Sequence, residues 1–180
     1  MGKSVSRNSA FSMINKGLSV VFPLVTVSYI SRVLGAAGIG EVSSAQNLST
    51  YFSMAAALGI PSYGVRAIAQ SKRDENSCNK TFSELFTINF ISSIIATVVY
   101  LITVFCFKIN NSNTALALIF SSIIVFNVIN IEWVYQGYEE YEYIMIRSLV
   151  IKIVSILLLF IFVRKKSDLV AYAFIICFGS

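Results

Sequence analysis

Long apolar runs separated by short polar segments make up most of this chain of 180 residues. An α-helix crosses a bilayer with about 20 mostly apolar residues at 1.5 Å of rise each, and several runs reach that length. The strands of a membrane barrel would alternate polar and apolar positions over about ten residues, and these runs do not. Backbone polar groups in lipid cannot bond to water and must pair within the protein, so we predict that these runs are helices. The pattern therefore predicts an all-α, polytopic bundle of transmembrane helices.

The apolar runs predict five complete spans and the beginning of a sixth. The second run ends at Gly59-Ile60-Pro61, a helix stop, and the longest polar segment follows at residues 66–80. The last run reaches Ser180 before it is long enough to cross a bilayer. We therefore expect the chain to be an amino-terminal fragment of a longer protein, with residues 1–180 forming one transmembrane lobe. The predicted spans are residues 9–30, 39–60, 82–107, 114–135 and 144–163, with a sixth from residue 169.

Composition supports a membrane protein and narrows the chemistry. The chain is 56% hydrophobic and only 13% charged, whereas a soluble domain carries about 25% charged residues. It has no histidine, and its three cysteines form no CxxC pair, so no pattern suggests a zinc site, a disulfide framework or histidine acid–base catalysis. We expect no catalytic residue, no metal, no cofactor and no nucleic-acid partner, and we predict that the protein is not an enzyme.

The distribution of lysine and arginine favours a cytoplasmic amino terminus, because short cytoplasmic loops carry an excess of these residues. With that orientation, Cys78 would be reachable only from the cytoplasm. Seven cationic residues would lie inside, namely Lys3, Arg7, Arg66, Lys72, Arg73, Lys80 and Arg147, and five outside, namely Arg32, Lys108, Arg164, Lys165 and Lys166.

Polar side chains recur at helical spacing within the predicted spans. Close packing of helices explains any single serine or alanine. Several amides at membrane depth instead favour a wet interior, and hence a transporter. The asparagines concerned are Asn15, Asn47, Asn89, Asn127 and Asn130.

Cations within or beside the spans indicate a candidate binding site. A cation at the bilayer centre costs about 2.5–3.5 kcal/mol on insertion scales. Lys16 lies roughly 10 Å inside the first span, and it either extends to the near interface or faces a polar cavity that holds an anion. Each cation alone reads as an interface anchor, but together they could line a cationic chamber. The candidates are Lys16, Arg32, Arg66, Arg147 and Lys152.

Two carboxylates are candidates for binding a coupling ion, and four residues are candidates for a hinge. Glu84 could instead favour a helix amino terminus, and Glu132, beside Trp133, could instead be an interfacial carboxylate. Proline removes a backbone hydrogen bond and kinks a helix, which gives either a static bend or a hinge for alternating access. The hinge candidates are Pro23, Gly59, Pro61 and Gly64.

Several short stretches, in order along nearly the whole chain, resemble one family of transporters. They are Asn15-Lys16-Gly17-Leu18, Phe22-Pro23-Leu24, Tyr29-Ile30-Ser31-Arg32-Val33-Leu34-Gly35, Leu58-Gly59-Ile60-Pro61, Phe82-Ser83-Glu84-Leu85, Glu132-Trp133 and Ile146-Arg147-Ser148. This order is similar to that of Wzx-type polysaccharide flippases of the multidrug/oligosaccharidyl-lipid/polysaccharide exporter superfamily.

The resemblance implies two six-helix lobes around a central cavity, of which this chain would be the amino-terminal, MATE-like one. It implies alternating access in the bacterial inner membrane, with membrane lipids and other polysaccharide assembly proteins as partners. The implied substrate is an oligosaccharide linked to undecaprenyl pyrophosphate, and basic residues of the amino-terminal lobe would hold its pyrophosphate. The alternatives are a drug/cation antiporter of the same superfamily and a membrane-embedded glycosyltransferase or polymerase. The last would need a sizeable polar loop with catalytic acids or bases, which the sequence lacks.

Overall fold

The computed structural model describes the backbone of residues 5–107 and 114–179, and their side chains except those of residues 5–8, 18, 25 and 107. The predictions that concern Lys3 and Lys108 lie outside the described residues. Within the described ranges the chain is helical and contains no strand, which confirms the predicted all-α bundle. The helices are α1 (Val5–Val33), α2 (Gly35–Ala57), α3 (Ile60–Ser71), α4 (Glu75–Phe107), α5 (Thr114–Phe126), α6 (Glu132–Gly137), α7 (Tyr141–Phe162) and α8 (Leu169–Gly179).

Three of the described helices are long and apolar enough to cross a membrane. They are Ser9–Val33 within α1, Glu75–Cys106 within α4, and Tyr141–Phe162, which is α7. Large apolar side chains cover their outer surfaces, as at Val20 and Ile95, which are 65% and 58% exposed. A helix that is apolar on its outer face as well as its inner face suits lipid rather than water. The chain is therefore a multi-pass membrane protein.

Side-chain contacts fix the relative directions of the long helices. The Tyr29 hydroxyl donates to the Val163 carbonyl at 2.9 Å, and the Lys152 ammonium donates to the Ser19 hydroxyl, so α1 and α7 run parallel. The Tyr100 hydroxyl donates to the carbonyl of Ala117, and the Asn89 amide donates to that of Asn127, so α5 returns antiparallel to α4. The starts of α1, α4 and α7 thus share one end of the bundle with α3 and α6. We call this end the amino-terminal face, and the end with the α1–α2 and α7–α8 turns the opposite face.

The second predicted span ends earlier than expected, and much of the predicted polar segment is helical. Helix α2 stops at Ala57, and Leu58 and Gly59 take left-handed backbone angles with φ of 48° and 76°. Helix α3 then runs to Ser71, and it includes the first part of the polar segment predicted at residues 66–80. The reason is amphipathicity: Ile60, Gly64 and Ile68 are buried one turn apart, and the polar residues between them are exposed.

The fourth predicted span is not one helix. Helix α5 ends at Phe126, and residues 127–131 leave the helical path before α6 begins at Glu132. The apolar content of residues 114–135 predicts insertion into lipid but cannot reveal this break. The break is stabilised from outside, because the Asn89 amide of α4 donates to the carbonyl of Asn127 at 3.3 Å.

Helices α3 and α6 pack through two reciprocal glycine contacts. The indole of Trp133 lies on Gly64, and the side chain of Ile68 lies on Gly137. A Cβ at either glycine would overlap the opposing side chain, so only glycine lets the two backbones approach this closely. The stacked ring of Phe82 extends the contact to α4, with ring centres 5.9 Å from Trp133. This packing holds the break at residues 127–131 against α4.

Candidate functional site

An ion pair joins Arg147 of α7 to Glu132 at the start of α6. The guanidinium Nη2 lies 2.9 Å from Glu132 Oε2, and Gln136 Nε2 donates to the other carboxylate oxygen at 3.1 Å. Both charged side chains are about one-third exposed. The pair therefore lies at the rim of the bundle interior, where charge attraction is stronger than in bulk water.

One N–H donor of the Arg147 guanidinium is not used by any described residue. Its Nε is buried and has no hydrogen-bond partner among the described residues. A guanidinium carries five N–H donors in a planar fork that fits carboxylate and phosphate oxygens. Because a buried donor without a partner is unfavourable, this atom favours an additional acceptor beside the ion pair.

Lys152 lies further along α7 and points to α1. Its ammonium donates to the Ser19 hydroxyl at 2.9 Å, and that hydroxyl donates to the carbonyl of Asn15. Lys152 comes five residues after Arg147, a rise of roughly 7.5 Å along the helix. We call Glu132, Arg147 and Lys152 the charged cluster, and it carries two cations and one carboxylate.

The other predicted cations lie at different places. Lys16 is exposed on α1, three residues before Ser19, and so lies about one turn from the contact with Lys152. Arg66 is exposed on α3. Arg32 is in the last turn of α1, about 24 Å of helix rise beyond Lys16, and is exposed towards the opposite face. The structure thus places Arg147 and Lys152 on one helix but about 140° apart around its axis, with Arg147 directed to α6 and Lys152 to α1. Lys16 lies at a level similar to that of Lys152, and Arg32 lies far away.

The two predicted coupling-ion carboxylates are in separate environments. Glu132 belongs to the charged cluster. Glu84 is exposed on α4 and lines a different cavity with Tyr63, Gln70 and Ser77. Because α4 begins at Glu75, Glu84 lies in its third turn and does not mark a helix amino terminus.

The hinge candidates have distinct roles in this structure. The break between α2 and α3 is at Leu58 and Gly59, and Pro61 lies in the first turn of α3, where its missing N–H is tolerated. Gly64 is inside α3 beneath Trp133. Helix α1 continues through Pro23, and the Thr26 hydroxyl donates to the Phe22 carbonyl there.

A polar pocket lies next to the charged cluster, and the sequence did not predict that its lining residues form one site. It has a volume of about 190 Å³ and lies where the α2–α3 break, α4 and the α5–α6 break meet. We call it the amide pocket, because four of its lining residues carry amides. Asn89, Asn127 and Asn130 were each predicted as amides at membrane depth, but tertiary packing brings Asn89 to the other two. The lining residues are Ala57, Ile60, Pro61, Asn89, Asn127, Asn130, Glu132, Trp133 and Gln136.

Comparison with known proteins gives one family and two relatives. A family model described as "Polysaccharide biosynthesis protein" matches residues 5–180. A protein of Escherichia coli (strain K12) named "Putative O-antigen transporter" is 28% identical over 176 residues, which are 96% of this chain and 41% of that protein. A protein of the same name from Shigella dysenteriae is 23% identical over 171 residues, 94% of this chain and 42% of that protein. The chain therefore spans about two-fifths of the length of these curated relatives. No solved structure matches it.

Proposed function

This chain belongs to the polysaccharide biosynthesis protein family, and we propose that it is part of a transporter that moves a lipid-linked oligosaccharide across the bacterial inner membrane. The substrate would be an oligosaccharide on undecaprenyl pyrophosphate, carried from the cytoplasmic to the outer leaflet. The names of the two curated relatives, which refer to O-antigen transport, support the class of cargo. The chain would supply one lobe of a two-lobed transporter, with its amino terminus in the cytoplasm and without catalytic activity of its own.

The structural observation that supports the proposal is Arg147, which lies on a helix long and apolar enough to cross the membrane and has a buried N–H without a partner among the described residues. A diphosphate needs several donors and positive charge, and an arginine fork supplies both. Lys152, about 7.5 Å further along the same helix and directed to α1, would add a second cation to the substrate path. Glu132 holds the guanidinium in position until the substrate arrives.

The proposed function is tested by deleting the gene in its native strain. We expect surface polysaccharide to be lost and its lipid-linked precursor to accumulate on the cytoplasmic leaflet. Restoring the protein that contains this chain should reverse both changes. If polysaccharide stayed unchanged and drug efflux fell instead, the function would be that of a drug/cation antiporter.

A further inference from the structure

The amide pocket contains a buried acceptor and a buried donor that nothing among the described residues satisfies. Asn89 Oδ1 and Asn127 Nδ2 are both buried without a hydrogen-bond partner there. Asn89 as a whole is 6% exposed, and it lines the pocket. Because unpaired polar atoms are rare in protein interiors, this pair indicates a ligand.

The orientation of the Asn89 amide is fixed by its other contact. Its Nδ2 donates to the Asn127 carbonyl at 3.3 Å, so its Oδ1 is the atom left without a partner. The pocket therefore offers one free acceptor together with one free donor. The Asn127 N–H group disfavours a cation, and the charge of Glu132, which would attract one, is already paired with Arg147 at 2.9 Å. Asn89 Oδ1 and the Glu132 carboxylate disfavour an anion. A hydroxyl group both donates and accepts, so a ligand that carries hydroxyls suits both atoms.

The size and lining of the pocket fit a ring that carries several hydroxyls. A volume of about 190 Å³ is many times the roughly 10–15 Å³ that one water needs, so the pocket has room for a ligand of several heavy atoms. Asn130, Glu132 and Gln136 line the same pocket and offer further donors and acceptors. Pro61 and Asn130 are exposed, so the pocket opens at that side.

The pocket also adjoins the cation proposed to hold the diphosphate. Glu132 lines the pocket and is bound to Arg147 at 2.9 Å. In a sugar linked to a lipid diphosphate, the first ring is bonded directly to phosphate. We propose that the amide pocket binds the sugar ring next to the diphosphate, through Asn89 and Asn127. This rests on the proposed function and adds to it a saccharide subsite between α4 and the α5–α6 break.

The single tryptophan of the chain, Trp133, lines the pocket and serves as its reporter. The purified chain in lipid nanodiscs is titrated with glucose, galactose and N-acetylglucosamine, and tryptophan fluorescence is recorded. We expect a saturable change with at least one of them. Asn127→Leu removes the free donor but keeps the carbonyl that Asn89 binds, and it should weaken binding by about tenfold or more. Gln136→Leu, at the edge of the pocket, should weaken it to a smaller extent.

Asn79→Leu is the matched control, because Asn79 is exposed on α4 and does not line the pocket. It should bind like the unaltered chain. A fluorescence change caused by Na⁺ and absent with choline would overturn the proposal in favour of a cation site. No change with any of the three sugars, or equal binding by Asn127→Leu and the control, would also overturn it, since water would then satisfy the two amides. If sugar binding failed but the gene still restored polysaccharide in the deletion strain, only the proposed saccharide subsite would be refuted. If polysaccharide persisted after the deletion, the proposed function itself would be refuted.

Discussion

The indole of Trp133 lies directly on the backbone of Gly64, so that a Cβ at residue 64 would come within 2.9 Å of Trp133 Cδ2. Real Cβ atoms do not approach that closely, and Trp133 is held from its other side by Phe82. The contact ties α3 to α6 and keeps the amide pocket and the charged cluster together.

Gly64→Ala should therefore destabilise the fold. Overpacking of this kind costs about 1–3 kcal/mol, which thermal unfolding of the purified protein in detergent would detect as a lower midpoint. Gly40→Ala is the control, because a Cβ at residue 40 of α2 has no neighbour within 4 Å among the atoms that the structure describes. That change should be neutral or stabilise the helix by up to about 1 kcal/mol. Equal midpoints for the two variants would contradict the close packing of α3 and α6.

Arg147→Gln should reduce surface polysaccharide far more than Glu132→Gln does. Loss of a charge-assisted hydrogen bond to an anion costs about 1.5–3 kcal/mol, or about 10–100-fold in affinity. If Arg147 binds substrate, the double variant should remain as defective as Arg147→Gln. Polysaccharide is measured at matched protein levels, with Arg73→Gln as the control because Arg73 is exposed in the α3–α4 turn. Recovery of function in the double variant would show that the pair is structural.

The two faces of the bundle should label from opposite sides of the membrane. Cys78 was expected to report the cytoplasmic side, but it is 5% exposed and its thiol lies 3.0 Å from the Tyr138 hydroxyl. Its burial makes it a poor reporter, so in a chain without native cysteines we would use Asn79→Cys and Lys166→Cys, both at exposed positions. A membrane-impermeant thiol reagent should reach Asn79→Cys only from the cytoplasm and Lys166→Cys only from outside. The reverse pattern would invert the proposed orientation.

Asp168 should make the α7–α8 turn sensitive to acid. Its carboxylate accepts hydrogen bonds from the backbone N–H groups of Arg164 and Lys165, at 3.0 and 2.8 Å, and these lower the pKa of Asp168. A group whose pKa is lower in the folded protein stabilises the fold above its unfolded pKa, about 3.9. That contribution is lost as the pH falls through the lower folded pKa.

Asp168→Asn cannot ionise, so its thermal midpoint should lack this acid-dependent step. The difference in midpoint between the unaltered protein and the variant should be constant above about pH 5 and shrink below about pH 4. If the midpoints of the two proteins changed in parallel between about pH 5 and pH 4, the charge of the Asp168 carboxylate would not stabilise the turn.

The helical secondary structure was predictable from the sequence, because a helix satisfies all its backbone hydrogen bonds within lipid and few other structures do. The apolar runs located α1, α4 and α7, since each is long enough to dominate local hydropathy. Helix α3 was not predicted, because its apolar stripe of Ile60, Gly64 and Ile68 is interrupted by charged and polar residues.

The candidate site was predictable only residue by residue. Arg147, Lys152 and Glu132 could be identified from the sequence alone, because charged residues within apolar spans are rare and costly. The pairing of Arg147 with Glu132 depends on how α6 turns back onto α7, and the free amide atoms of Asn89 and Asn127 depend on the break at residues 127–131. No local pattern encodes contacts between residues 38 positions apart.

The broken fourth span also has a consequence for biogenesis. Helix α5 has 13 residues and covers only about 20 Å of a hydrocarbon layer about 30 Å thick. Membrane insertion responds to hydrophobicity, so residues 114–135 should enter the bilayer as one continuous segment. The Asn89 amide that binds the Asn127 carbonyl comes from α4, which is synthesised earlier, so we expect the break to become stable when the two inserted helices meet. Its formation would mark the step at which independently inserted helices become a folded lobe.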